Sequence, residues 1–233
     1  MFNEYENFLS QFKRNGYIFK FFHQKISKRG NIVLRHDIDF DTQYALNIAK
    51  VEKKLNIKST FFFLIKSESY NILNPEEIKR IKEISSMGHE ISVHFDPSIY
   101  KRNKILEGLK SEIKIFEYLF NNKIRIISFH RPSKKFINLN KKIVGVNHTY
   151  QDLYKKKIKY FADSRNIFSY GNPLKSIEFK NKLSLQLLLH PIWWQKKFSD
   201  NINLKIKKFI TKKNYDLKLN LKKNLNKSKL NFK

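Results

Sequence analysis

What most constrains this chain is a unit that recurs along it: a short apolar run, a cluster of reactive polar residues, then a stretch with helical spacing. Residues 31–35 (NIVLR), 58–65 (KSTFFFLI), 90–94 (EISVH), 125–129 (RIISF) and 183–189 (LSLQLLL) read as strands buried on both faces, with weaker candidates at 143–146 and 159–162. Between the first two, Tyr44, Ala45, Ile48, Val51 and Leu55 mark one helix face. Asn74 and Pro75 open another helix that ends near Met87, and 104–120 is amphipathic. A helix over 3–14, carrying Tyr5, Phe8, Leu9 and Phe12, stops at Gly16. This alternation predicts an α/β fold with a parallel sheet covered by helices, and 233 residues are enough to close it into a (β/α) barrel. At Gln195 the composition shifts toward lysine and core signals thin out. The chain thus divides into a 1–194 barrel domain, which includes the N-terminal helix, and a basic helix and tail over 195–233.

The absence of cysteine excludes disulfides, thiolate metal sites and cysteine nucleophiles, so any metal must be held by His, Asp or Glu. The 48 basic and 20 acidic residues leave a formal charge of +28, which raises nucleic acid or an anionic membrane surface as partners. The excess is mostly lysine, alongside abundant Asn, Ile and Phe, a composition that AT-rich coding sequence produces whatever the protein does. Nucleic acid is therefore disfavoured, and peripheral membrane contact through the basic tail stays open. No apolar run approaches the roughly 18 residues of a membrane span, and the first residues are acidic where a signal peptide is basic. The expectation is a cytoplasmic protein.

Active sites of α/β sheets lie beyond the carboxyl ends of the strands. Here five strand ends carry reactive residues: RHDID at 35–39, GHEISVHFDP at 88–97, SFHRPS at 128–133, ADS at 162–164 and LLLHP at 187–191. Asp37 and Asp39, two apart, share one face of an extended strand, so one can bind a cation while the other takes a proton. Asp39 is equally suited to capping a helix that starts at Phe40. His190, with Asp163 at a neighbouring strand end, matches an acid and its orienting carboxylate. Trp193 and Trp194 suit either core packing or stacking against a sugar ring.

Taken in order, RHDID, STFFF, GHEISVHFDP, SFHRPS, DSR and LQLLLHPIWW are similar to the polysaccharide deacetylase family, over residues 31–194. They most resemble a subgroup associated with bacterial surface polysaccharides. The resemblance implies a distorted (β/α) barrel of about seven strands and a metal-dependent enzyme that removes an N-acetyl group from an amino sugar or oligosaccharide. It implies Asp37 as general base, Asp39 and His94 as ligands of a divalent metal, most often zinc, His190 as general acid, and Asp163 as its orienter. Ser98 stands where the family has its second metal histidine, which leaves Asp96, His130 or a water as the third ligand. The family's RxPY motif becomes HRPS. Aligned on the proline, His130 takes the arginine's place; aligned on charge, Arg131 does, and either would orient Asp37. Ser133 replaces the tyrosine near the substrate. These departures keep one alternative open, a catalytically silent carbohydrate-binding relative, and the charge of +28 keeps another, a basic protein of nucleic-acid or membrane surfaces.

Overall fold

The computed structural model describes residues 3–225 other than 196 and 199. The strands are β1 (Ile18–Lys20), β2 (Asn31–Ile38), β3 (Thr60–Phe63), β4 (Glu90–Phe95), β5 (Ile126–Phe129), β6 (Asn147–His148), β7 (Lys159–Ala162) and β8 (Leu185–Leu189). Seven of them pair in the order β6-β5-β4-β3-β2-β8-β7, all parallel, and β1 adds to the start of β2. The sheet curls into a half-barrel with helices around it: the parallel, helix-covered sheet that the alternation predicts, in the distorted (β/α) barrel form that the resemblance implies. Among the described residues no pairing joins β6 to β7, so this seam stays open.

β2 is buried along its whole length because it is an interior strand, paired with β3 on one side and β8 on the other. Its side chains alternate. Ile32, Leu34 and Ile38 join the large apolar cluster under the helices, and Val33 joins a smaller one with Phe62, Ile126, Tyr154 and Ile158. By the same alternation Arg35, Asp37 and Asp39 share the face of Val33, inside the barrel.

The outer layer is α1 (Asn3–Arg14), α2 (Thr42–Lys54), α3 (Pro75–Ser86), α4 (Ile105–Phe120) and the single turns α5 (Lys134–Ile137), α6 (Asp152–Lys155) and α7 (Ile177–Lys180). α1 buries Tyr5, Phe8, Leu9 and Phe12, the residues whose spacing marks its apolar face. Beneath α2 lies a buried polar network built on Glu52: His36 Nε2 is 2.7 Å from its Oε1, the Ser59 hydroxyl donates to its Oε2 at 2.6 Å, and the Tyr5 hydroxyl donates to Oε1. His89 closes this network, 3.0 Å from Ser59 Oγ.

Two local expectations are corrected. The strand expected at 143–146 is a turn, because Val144 and Gly145 take φ of 44° and 87°, and the strand begins at Asn147. The helix after β2 starts at Thr42, capped by Asp41, whose carboxylate accepts from Gln43 N at 2.7 Å. Asp39 is thereby free of the capping role.

α8 (Ile202–Leu225) follows β8. Its first turns are tied down by buried Lys205, which donates to Trp193 O (2.7 Å), Phe198 O (2.9 Å) and Asn166 Oδ1 (2.7 Å). Further along, Lys212 pairs with Asp41 at 2.9 Å. The rest of the basic tail, 226–233, lies outside the described residues. Among those described, no helix is long and apolar enough to cross a membrane.

Candidate metal centre and catalytic site

Register brings the polar strand ends to one level. His36 pairs with Leu189, so Asp37 stands beside His190; Ile38 pairs with Phe63 and Phe63 with Val93, so Asp39 stands level with His94; His94 pairs with Ser128. Together they line a cavity of about 550 Å³, with Asp37, Asp39, His94, His130 and His190 in its wall.

Asp39, His94 and His130 form a cluster with the dimensions of a cation site. Asp39 Oδ1 lies 3.2 Å from His94 Nε2 and 3.3 Å from His130 Nδ1, and the two nitrogens are 3.1 Å apart. Donors at Zn–N distances of 2.0–2.1 Å in a tetrahedral arrangement are about 3.3 Å apart. The protonation pattern agrees. Ser128 has one hydroxyl proton and gives it to Asp37 Oδ1 at 3.2 Å, so at 2.5 Å it accepts from His94 Nδ1, leaving Nε2 as a lone pair. That lone pair faces Asp39 Oδ1, a buried oxygen with no hydrogen-bond partner. Without a cation the His130 Nδ1–H can serve both atoms; with that proton lost, three lone pairs converge on one point, so the donor set fits a divalent metal.

Asp37 sits beside the cluster, its Oδ2 3.8 Å from His94 Nε2. Its cationic partner is Arg35, whose Nη2 is 3.4 Å away; both side chains are almost wholly buried. This corrects the expectation that Arg131 or His130 orients Asp37. Arg131 is an exposed residue on the cavity rim, and His130 belongs to the metal cluster. Arg35 reaches Asp37 because residues two apart on a strand share a face. The RHDID motif carries that signal, but the arginine is legible as part of the site only once the strand is known to turn this face inward.

On the other side, His190 Nε2 is 3.8 Å from Asp39 Oδ2, and its Nδ1 donates to Asp163 Oδ1 at 2.6 Å. Asp163 is fully buried and also accepts from Trp194 Nε1 at 2.7 Å. Burial works against a charged His190, but the charge and hydrogen bond of Asp163, with Asp39 and Asp37 behind, push its pKa up to about 9.

Four further residues from the sequence stand as follows. Asp96 accepts from the backbone and hydroxyl of Ser98 at 2.8 and 2.6 Å, and the cluster does not include it. Trp193 lines the cavity, whereas Trp194 is buried against Tyr5, Phe8 and Phe198, where it braces Asp163 and has no face for a sugar. Ser133 is exposed at the start of α5 and is not in the cavity wall. Ser128, Tyr150 and Tyr160 are site residues that sequence reasoning missed. Nothing local marks them, since strand register puts them there.

Family models and curated proteins gave no match to this sequence. The fold is similar to several solved structures. One is a family 4 carbohydrate esterase from Bacillus anthracis, at 18% identity over 90% of this chain and 86% of that one, with a TM-score of 0.47. Another is a Streptococcus pyogenes deacetylase in complex with acetate, at 13% identity over 81% and 80% of the two chains, TM-score 0.48. A third is a pseudoenzyme of the same esterase family from Bacillus anthracis, at 15% identity over 81% of this chain and 63% of that one, TM-score 0.46.

Proposed function

We propose that this chain is a metal-dependent hydrolase that removes an N-acetyl group from an amino sugar of a surface polysaccharide or its precursor. The observation that carries the reading is the flanking of one cation-ready cluster by a base and an acid: Asp37 and His190 each approach it to 3.8 Å, from opposite partners. The sugar as substrate rests on the sequence resemblance.

Asp39, His94 and His130 would hold the divalent cation, zinc in this proposal, which when bound polarises the amide carbonyl and acidifies water. Asp37 accepts the proton of the attacking water, its carboxylate held by Arg35 and by the Ser128 hydroxyl. His190, kept protonated by Asp163, donates from Nε2 to the leaving amine, so that amide hydrolysis yields free amine and acetate. Arg35, Ser128 and Asp163 are positioning residues. Tyr150, Tyr160 and Trp193 line the cavity that receives the sugar.

The test is acetate release from N-acetylglucosamine oligomers by zinc-loaded protein, with zinc affinity measured beside it. Asp37→Asn is expected to bind zinc as the parent does and release no acetate; turnover at the parent's rate would overturn the assignment of the base. A parent protein that takes up no divalent metal would return the silent carbohydrate-binding alternative.

A further inference from the structure

A second cavity, of about 200 Å³, opens through the unpaired seam between β6 and β7. Lys155 and exposed Tyr170 stand among its lining residues, and so do Arg35, Thr149 and Gln186, each at most 2% exposed. Tyr150 and Tyr160 line both this cavity and the larger one, so the two share a wall.

Four buried polar atoms of its lining residues have no hydrogen-bond partner: Arg35 Nε and Nη2, Thr149 Oγ1 and Gln186 Oε1. Asp37 lies at ion-pair distance from Nη2 but makes no hydrogen bond to it. The charge of Arg35 is thus balanced by Asp37, but its buried N–H donors still lack hydrogen bonds, and each unsatisfied buried donor or acceptor is costly. The lining holds two cations, Arg35 and Lys155, and no carboxylate. Nε and Nη2 together form one edge of the guanidinium, a planar pair of parallel donors that matches the two oxygens of a carboxylate. Since a water occupies about 30 Å³, the volume suits an acetate-sized ion with a few waters, which would also serve Thr149 and Gln186.

We propose that the seam cavity is a binding site for a small carboxylate, seated on the Nε and Nη2 edge of Arg35. On the deacetylase reading, and resting on it, the occupant is the acetate product, held apart from the metal cluster by Tyr150 and Tyr160. The site itself needs no turnover.

The experiment uses full-length protein stripped of metal with a chelator, so that acetate on a metal does not contribute. Binding of carbon-13 acetate is followed by NMR titration, and crystals soaked in acetate locate it. The parent is expected to bind acetate at the seam. Lys155→Glu and Thr149→Val should each weaken binding by about threefold to tenfold, and Arg35→Met should abolish it. Lys155 is half-buried, so its variant keeps the test valid if the Arg35 variant fails to fold. Three outcomes would overturn the proposal: waters alone on Arg35 in the soaked crystal, affinity unmoved by Lys155→Glu and Thr149→Val, or inorganic phosphate bound as tightly as acetate. Acetate binding at the seam in a protein that releases none from N-acetyl sugars would keep this inference and reject the deacetylase reading.

Discussion

Asp163→Asn isolates the acid half of the proposed mechanism. His190 acts as acid only while protonated, so activity must fall as pH rises through its pKa, which Asp163 does most to raise, to about 9 from an ordinary 6.5. Asparagine removes the charge while Trp194 can still donate to the remaining amide oxygen, so the local packing survives. Burial, which opposes the charge, is then countered only by Asp39 and Asp37, so the alkaline limb should move to lower pH in the variant. Each unit by which the His190 pKa falls costs about tenfold in the protonated fraction once the pH lies above it. Loss of the fixed Nδ1–H tautomer adds to it. The assay is kcat against pH for zinc-loaded parent and variant, with zinc affinity as control. An alkaline limb that stays in Asp163→Asn where the parent has it would show that Asp163 does not set the acid.

Ser128→Ala removes the acceptor that fixes His94 Nδ1–H, and metal affinity should fall about 10-fold to 100-fold by calorimetry; an unchanged affinity would refute the tautomer argument. Glu52→Ala strips His36, Tyr5 and Ser59 of their shared partner and should cost about 3–5 kcal/mol in urea unfolding, with metal affinity unmoved because the network lies on the sheet's other face. Burial opposes the charge on Glu52, but His36, then His89 and Ser59, hold its carboxyl below the ordinary 4.5. Its stabilisation is therefore complete above pH 4.5 and lost as pH falls through the lower folded-state value, so Glu52→Gln should flatten the acid limb of the stability curve. Asp41→Ala removes the α2 cap and the anchor of Lys212 and should cost about 1 kcal/mol, read by urea unfolding; no change would discount the cap.

The sequence alone determined the parallel α/β sheet covered by helices, because strand and helix periods are properties of neighbouring residues and each apolar run ends where its polar cluster begins. The i, i+2 spacing also put Arg35, Asp37 and Asp39 on one face, although only the two carboxylates were read as chemistry. What lay beyond local pattern was register. Whether Asp96 or His130 joins Asp39 and His94 depends on how β5 sits against β4, and His130 lies at the end of β5. Likewise Trp194 looks like a sugar platform in the string LLLHPIWW, and only its burial beneath α1 turns it into the brace of Asp163. The turn at Val144 and Gly145, which leaves β6 just two residues long, depends on backbone dihedrals that no apolar pattern records. Side-chain periodicity encodes which face a residue takes. The partner across the barrel is chosen by the packing of strands far apart in sequence, and only the tertiary structure carries that information.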